Sequence, residues 1–196
     1  MALNLESENK MFIQTEETPN PLTLKFLPGR EVLKNGSVDY RSEEEALNSP
    51  LASALFNVEG VVGVFFSDDF ITISKRDDKD WQLMKPGILG VIMEHFTANK
   101  PIINSDEHDN LDAAPQEEDD EIVSQIKELL YTRVRPAVAQ DGGDIVFEGF
   151  NDGVVTVQMR GACAGCPSST ATLKMGIENM LRHYIPEVKE VIAAGM

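Results

Sequence analysis

From Asn104 to Glu121 half of the residues are Asp or Glu, and no Lys or Arg neutralises them. Such a segment cannot bury enough apolar surface to offset the entropy of ordering it, so it reads as a solvated linker. The chain is thereby divided, and each side must build its own core. At 196 residues and 42% hydrophobic content there is material for two small domains. A calcium loop is the competing reading of so many acids, but the D-x-[DN]-x-[DN]-G pattern is missing. His108 falls within this segment and is expected to be exposed and idle.

Before the linker, Met11 to Thr15 and Leu22 to Leu27 alternate as strands around the turn Thr18-Pro19-Asn20-Pro21. Ser42-Glu43-Glu44-Glu45 has the form of a capping box and starts a short helix that Pro50 stops or restarts. Leu51, Ala54, Leu55 and Val58 then share one helical face. Val61 to Phe66 and Phe70 to Ser74 form a hairpin apolar enough for the middle of a sheet. A helix after Trp81 carries Ile88, Val91, Ile92 and Phe96 on one side, with Pro86 near its start or at a kink. Trp81 is read as a packing residue and His95 as a polar-face residue. No reactive group is visible in this half.

After the linker, Ile122, Ile126, Leu129, Leu130 and Val134 recur at helical spacing, Pro136 should kink or restart the helix, and Asp141-Gly142-Gly143-Asp144 ends it. The glycine pair fits no phosphate-loop pattern and is read as a helix stop. Ile145 to Phe150 and Val154 to Met159 make a hairpin about Asn151-Asp152-Gly153. Next come Gly161-Ala162-Cys163-Ala164-Gly165-Cys166-Pro167-Ser168-Ser169, then a helix with Leu173, Ile177, Met180, Leu181 and Tyr184 on one face. Pro186 to Ile192 offers a last strand. The expected fold is α+β: two small α/β domains joined by the acidic linker, the second ordered helix, hairpin, C-x-x-C, helix, strand. The boundaries read as 1–10 for an N-terminal extension, 11–99 for the first domain, 100–121 for the linker and 122–196 for the second domain.

Cys163 and Cys166 are the only cysteines, and their spacing lets both sulfurs meet one metal, one cluster or each other. Pro167 suits the first position of a helix, which sets Cys166 beside the positive end of the helix dipole and favours thiolate. Small neighbours leave room for a large inorganic core. A structural zinc site takes four protein ligands, and His95, His108 and His183 do not complete one. Pro167 stands where C-x-x-C-H haem attachment needs histidine. A thioredoxin-like dithiol also sits between strand and helix, but too few residues follow Cys166 to finish that fold. Iron-sulfur clusters are commonly held by four thiolates, so one chain brings half the ligands and a second copy completes the set. Arg160 is read either as a guard that lowers the thiol pKa values or as an ordinary surface arginine.

A net charge of −16 argues against nucleic-acid partners and anionic membrane surfaces. No apolar run approaches the ~20 residues of a membrane-spanning helix. The acidic opening Met1 to Glu8 lacks the features of a signal or transit peptide. Thiols that must stay reduced to bind metal fit a reducing compartment.

Two sets of residues resemble a known family. Val134-Arg135-Pro136, Asp141-Gly142-Gly143-Asp144, the segment Gly161 to Ser169 and Pro186-Glu187-Val188 are similar to the NifU C-terminal domain of Nfu-type iron-sulfur proteins. Met11-Phe12-Ile13-Gln14-Thr15, Thr18-Pro19-Asn20-Pro21, Leu24 to Gly29 and Asp69 to Ile73 resemble the N-terminal domain of the mitochondrial and alphaproteobacterial Nfu subgroup. The resemblance implies a non-enzymatic carrier or late scaffold that holds a [4Fe-4S] cluster, with [2Fe-2S] as the alternative, between the C-x-x-C motifs of two subunits. Cys163 and Cys166 would be its ligands. Upstream cluster donors and apo clients such as lipoyl synthase or aconitase-type enzymes would be its partners. The setting implied is a bacterial cytoplasm, or the mitochondrial matrix for a mature eukaryotic form. A dithiol oxidoreductase and a zinc-bridged structural dimer remain the competing functions.

Overall fold

A computed structural model of the chain describes residues 12–104, 120–164 and 167–194. His108 and most of the acidic segment lie outside the described residues, as does Cys166. The first half forms a five-stranded sheet in the order β1-β2-β5-β4-β3, with every neighbouring pair antiparallel. The strands are β1 (Gln14–Glu17), β2 (Thr23–Leu27), β3 (Val38–Tyr40), β4 (Val61–Phe66) and β5 (Ile71–Lys75). The anticipated hairpin is thus the centre of the sheet. The first strand lies a few residues later than its apolar start suggests, and β3 has no counterpart in the sequence reading.

Two helices, α1 (Pro50–Phe56) and α2 (Trp81–Thr97), cover one face of this sheet. Pro50 restarts the chain: it occupies the first turn of α1, and Ser49 caps it by accepting from the Ala52 N–H at 3.1 Å. The stretch before it is a 3-10 turn, Glu45–Asn48, in which Ser42 Oγ accepts from the Glu45 N–H and the Glu45 carboxylate takes the Arg41 N–H instead of closing the box. Asp80 caps α2 through the Gln82 N–H at 2.7 Å, and Pro86 is carried inside the helix. Leu24, Phe26, Val64, Phe66, Ile71 and Ile73 of the sheet pack on Leu51, Leu55, Ile88, Ile92 and Phe96 of the helices. Trp81 packs at the margin of this core, as expected, and its Nε1 donates to Pro21 O at 3.1 Å.

His95 overturns its assignment to the polar face, because it is buried on the core side of α2. Its ring stands edge-on to Phe96, and Nε2 has no hydrogen-bond partner among the described residues. Burial, helped by the charge of Lys100, lowers its pKa below the ordinary 6.5. The unfolded chain therefore takes up the proton first as pH falls, so this contribution to stability is complete above 6.5 and is lost between that value and the lower folded one. Thermal unfolding followed across that window should show the first domain weakening with acid. His95→Gln should flatten the slope, and an unchanged slope would assign the acid sensitivity to other groups.

The second half is a three-stranded sheet, β6 (Gly143–Asn151), β7 (Val154–Gly161) and β8 (Glu190–Ala194), with β6 and β7 antiparallel and β8 parallel to β7. Three helices pack on it: α3 (Glu121–Leu129), α4 (Arg135–Gln140) and α5 (Pro167–Tyr184). Pro136 does disturb the first of these. The helix widens into a π turn at Leu130–Val134 before α4 resumes, as happens where a proline lacks its N–H and crowds the preceding turn. Asp152 and Gly153 both have positive φ, the backbone a two-residue hairpin turn of this hand requires. Ile126, Leu130, Val138, Ile145, Val155, Val157, Ile177, Leu181 and Val191 form the core. Tyr184 departs from its expected core face: it is exposed, with Arg133 against its ring.

Candidate metal centre

The hairpin delivers the chain to the cysteines. β7 ends at Gly161, whose φ of 61° turns the backbone out of the strand, a conformation that costs a residue with a Cβ but not glycine. α5 then begins at Pro167, so the C-x-x-C motif does occupy a strand-to-helix corner. Within that corner the Ala164 N–H donates to Gly161 O at 3.1 Å, and Thr170 Oγ1 on α5 donates to Cys163 O at 3.1 Å. Cys163 is only 7% exposed and packs with the second-domain core.

Asp141-Gly142-Gly143-Asp144 stops α4, as the sequence suggests, and it is also the floor of the cysteine turn. Gly142 has φ of 80°, and its carbonyl accepts from the Ala162 N–H at 3.1 Å. A Cβ on Gly143 would lie 2.7 Å from both Cys163 Sγ and Arg160 O, so only hydrogen fits there. Asp144 is buried and takes both arms of the Arg135 guanidinium, at 2.8 and 2.6 Å, together with the Ile145 N–H at 2.8 Å. Two parallel charge-assisted bonds of this kind fix orientation as well as energy. Sequence reasoning gave Asp144 no role beyond the helix stop. A buried acid nine residues beyond an arginine is not a recognisable pattern until the fold brings the pair together.

Arg160 is more than an ordinary surface arginine. Its Nη1 donates to Ser37 O at 2.9 Å, which ties it to the first domain, and its Nε donates to Gln158 Oε1 at 2.8 Å. Ser37 Oγ in turn donates to Asp144 Oδ2 at 2.6 Å. These bonds belong to a broader contact. In the first sheet Glu16, Lys25, Thr72, Phe65 and Asp39 are direct cross-strand partners in sequence from β1 to β3, so their side chains stand in one row on one face. That face is opposite the helices, and it lies on the second domain. Lys25 Nζ donates to Ala139 O at 3.0 Å, Thr72 Oγ1 donates to Gly142 O at 2.7 Å, and the Phe65 ring lies where a Cβ on Gly161 would touch it at 2.9 Å. Burial pushes the Asp39 carboxyl up from its ordinary value, against the opposing pull of Arg41 and Arg160.

Residues 13–99 match the family described as scaffold protein Nfu/NifU N terminal, and residues 126–192 match the NifU-like domain. The protein named NFU1 iron-sulfur cluster scaffold homolog, mitochondrial, from Homo sapiens is 50% identical over 182 residues, covering 92% of this chain and 71% of its own length. The Drosophila sechellia protein of the same name is 55% identical over 182 residues, covering 92% of this chain and 64% of its own. NifU-like protein 5, mitochondrial, from Arabidopsis thaliana is 49% identical over 190 residues, covering 95% and 69% respectively. The chain thus spans about two thirds of the length of these relatives. Two domain matches in the order the residues suggested, and half-identity along nearly the whole chain, place it: it belongs to the Nfu family of NifU-like proteins.

Proposed function

We propose that this protein is an iron-sulfur cluster assembly scaffold or carrier in which Cys163 and Cys166 of two copies hold one [4Fe-4S] cluster as cargo. The observation that carries the reading is the thiol pair at a strand-to-helix corner, in a chain with no other cysteine. Soft thiolates are the donors iron-sulfur cores take, and two per chain is half of the usual set. Among the described residues no three His, Cys, Asp or Glu side chains converge to hold a metal ion. The start of α5 directly after Cys166 favours its thiolate. A cluster shared between copies is bound without a complete cage in either, which suits a cargo that must leave for apo-proteins. The names of the human and Drosophila relatives specify a scaffold, and all three names specify a mitochondrial setting. They favour a mitochondrial setting over the bacterial cytoplasm for this chain.

The test is anaerobic reconstitution with iron and sulfide, followed by size separation and iron analysis. Brown protein should elute as a dimer carrying about one cluster for every two chains. A full cluster in a lone subunit would overturn the shared arrangement. A colourless protein that instead retains zinc, or that reduces insulin disulfides, would replace the scaffold reading with one of its competitors.

A further inference from the structure

We propose that the first domain is a clamp on the cysteine turn, with Asn20 and Thr72 as positioning residues that hold Cys163 inward while the two domains are docked. The backbone that carries Cys163 is held from both sides. The Ala162 N–H donates to Gly142 O, and Ala162 O accepts from Asn20 Nδ2 of the first domain at 3.4 Å. Gly142 O accepts a second donor, Thr72 Oγ1. Two side chains of one domain therefore bracket the Gly142–Ala162 bond on which the turn of the other domain rests. Both are built for the position. Thr72 is 1% exposed near the start of β5, and Asn20 is fixed within the Thr18-Pro19-Asn20-Pro21 turn, where its Oδ1 accepts from the Leu22 N–H at 3.1 Å.

The surfaces are matched in shape as well as in hydrogen bonding. Gly142 and Gly161, both at positive φ, lie where a Cβ would meet Thr18 and Thr72 at 3.1 Å or the Phe65 ring at 2.9 Å. Gly142 and Gly161 are thus bare on the side that faces the first domain. This gives a physical role to a domain that has no reactive group of its own. Its outer row of Lys25, Thr72 and Phe65 is an intramolecular docking surface for the turn.

A thiol 7% exposed cannot share a ligand with a second chain unless the turn moves. Docking and thiol availability are then linked: whatever draws Cys163 outward weakens the clamp, and whatever weakens the clamp raises the population with Cys163 outward. That consequence rests on the proposed cluster-ligand role of Cys163, whereas the clamp itself requires only an inward thiol.

The experiment is the rate at which iodoacetamide alkylates Cys163 in the full-length apo chain carrying Cys166→Ser. If alkylation passes through the released turn, loss of one neutral hydrogen bond should raise the rate about fivefold in Thr72→Val. Thr72→Ser keeps the hydroxyl and should react at close to the parental rate. Asn20→Asp preserves the acceptor that serves Leu22 but faces Ala162 O with a carboxylate, so its rate should rise at least as much. Parental rates in both Thr72→Val and Asn20→Asp, or a Thr72→Ser rate equal to that of Thr72→Val, would overturn the clamp. Should Thr72→Val fail to fold, Asn20→Asp decides by the same criterion. No cluster is present in this assay, so a colourless reconstitution would sink the scaffold reading and leave the clamp standing, and the reverse also holds.

Discussion

Cys163→Ser is expected to give a folded protein that remains colourless after anaerobic reconstitution, with its iron content at background. Serine keeps the shape of cysteine but replaces a soft, readily ionised donor by a hydroxyl that holds its proton at neutral pH, and iron-sulfur cores are bound by thiolate. The loss should be complete rather than partial, because each chain has two cysteines in all and no third to substitute. Cys166→Ser should behave alike. The fold should survive. Cys163 belongs to the second core together with Val157, Met159 and Leu181, and burying a hydroxyl there costs about 1–3 kcal/mol. A thermal scan run beside the iron assay separates the two effects: a cooperative transition a few degrees lower with no visible absorbance is the expected pair of results. Parental iron content in Cys163→Ser would remove Cys163 from the ligand set.

The residues that announce this site are local ones, which is why sequence patterns found them. A C-x-x-C flanked by an alternating run and a 3.6-residue repeat puts β7 and α5 on either side of the turn before any tertiary contact is known. Pro167 at a helix start and Asp152-Gly153 in a hairpin turn are decided by φ, which their own covalent structure constrains. What escaped the sequence is what the two halves do to each other. Phe65 reads as one more apolar residue of a buried strand, but it points away from the first core and is covered by the second domain. Arg160 and Asp144 lie far from Ser37 along the chain, and no periodicity connects them. β3 is three residues long, and its pattern is too short to rise above the surrounding loop. His95 is a polar residue type and reads as part of the polar face, although its place on α2 aligns it with Ile88 and Ile92 in the core. Apart from His95, each of these misses concerns a long-range contact or a pattern shorter than its own period.

Gly143→Ala is the substitution with the largest expected effect on stability, and it tests whether the floor of the cysteine turn is as tight as it looks. The added Cβ would lie 2.7 Å from Arg160 O, 2.7 Å from Cys163 Sγ and 3.1 Å from Cys163 N. Two of these three neighbours are backbone atoms, in β7 and in the turn, so the clash cannot be relieved by rotating one flexible side chain. Overpacking of this kind costs about 1–3 kcal/mol and more where backbone must move. For a domain of this size, such a cost lowers the midpoint by roughly 5–20 °C. The same displacement should push Cys163 outward and raise its alkylation rate, so stability and thiol reactivity should change together. Gly149→Ala is the matched comparison. It lies on the same strand, with nothing within 4 Å of an added Cβ, and should stay within about 0.5 kcal/mol of the parent. Parental midpoint and parental reactivity in Gly143→Ala would show that the turn has room to yield, and that Gly143 is there only to end α4.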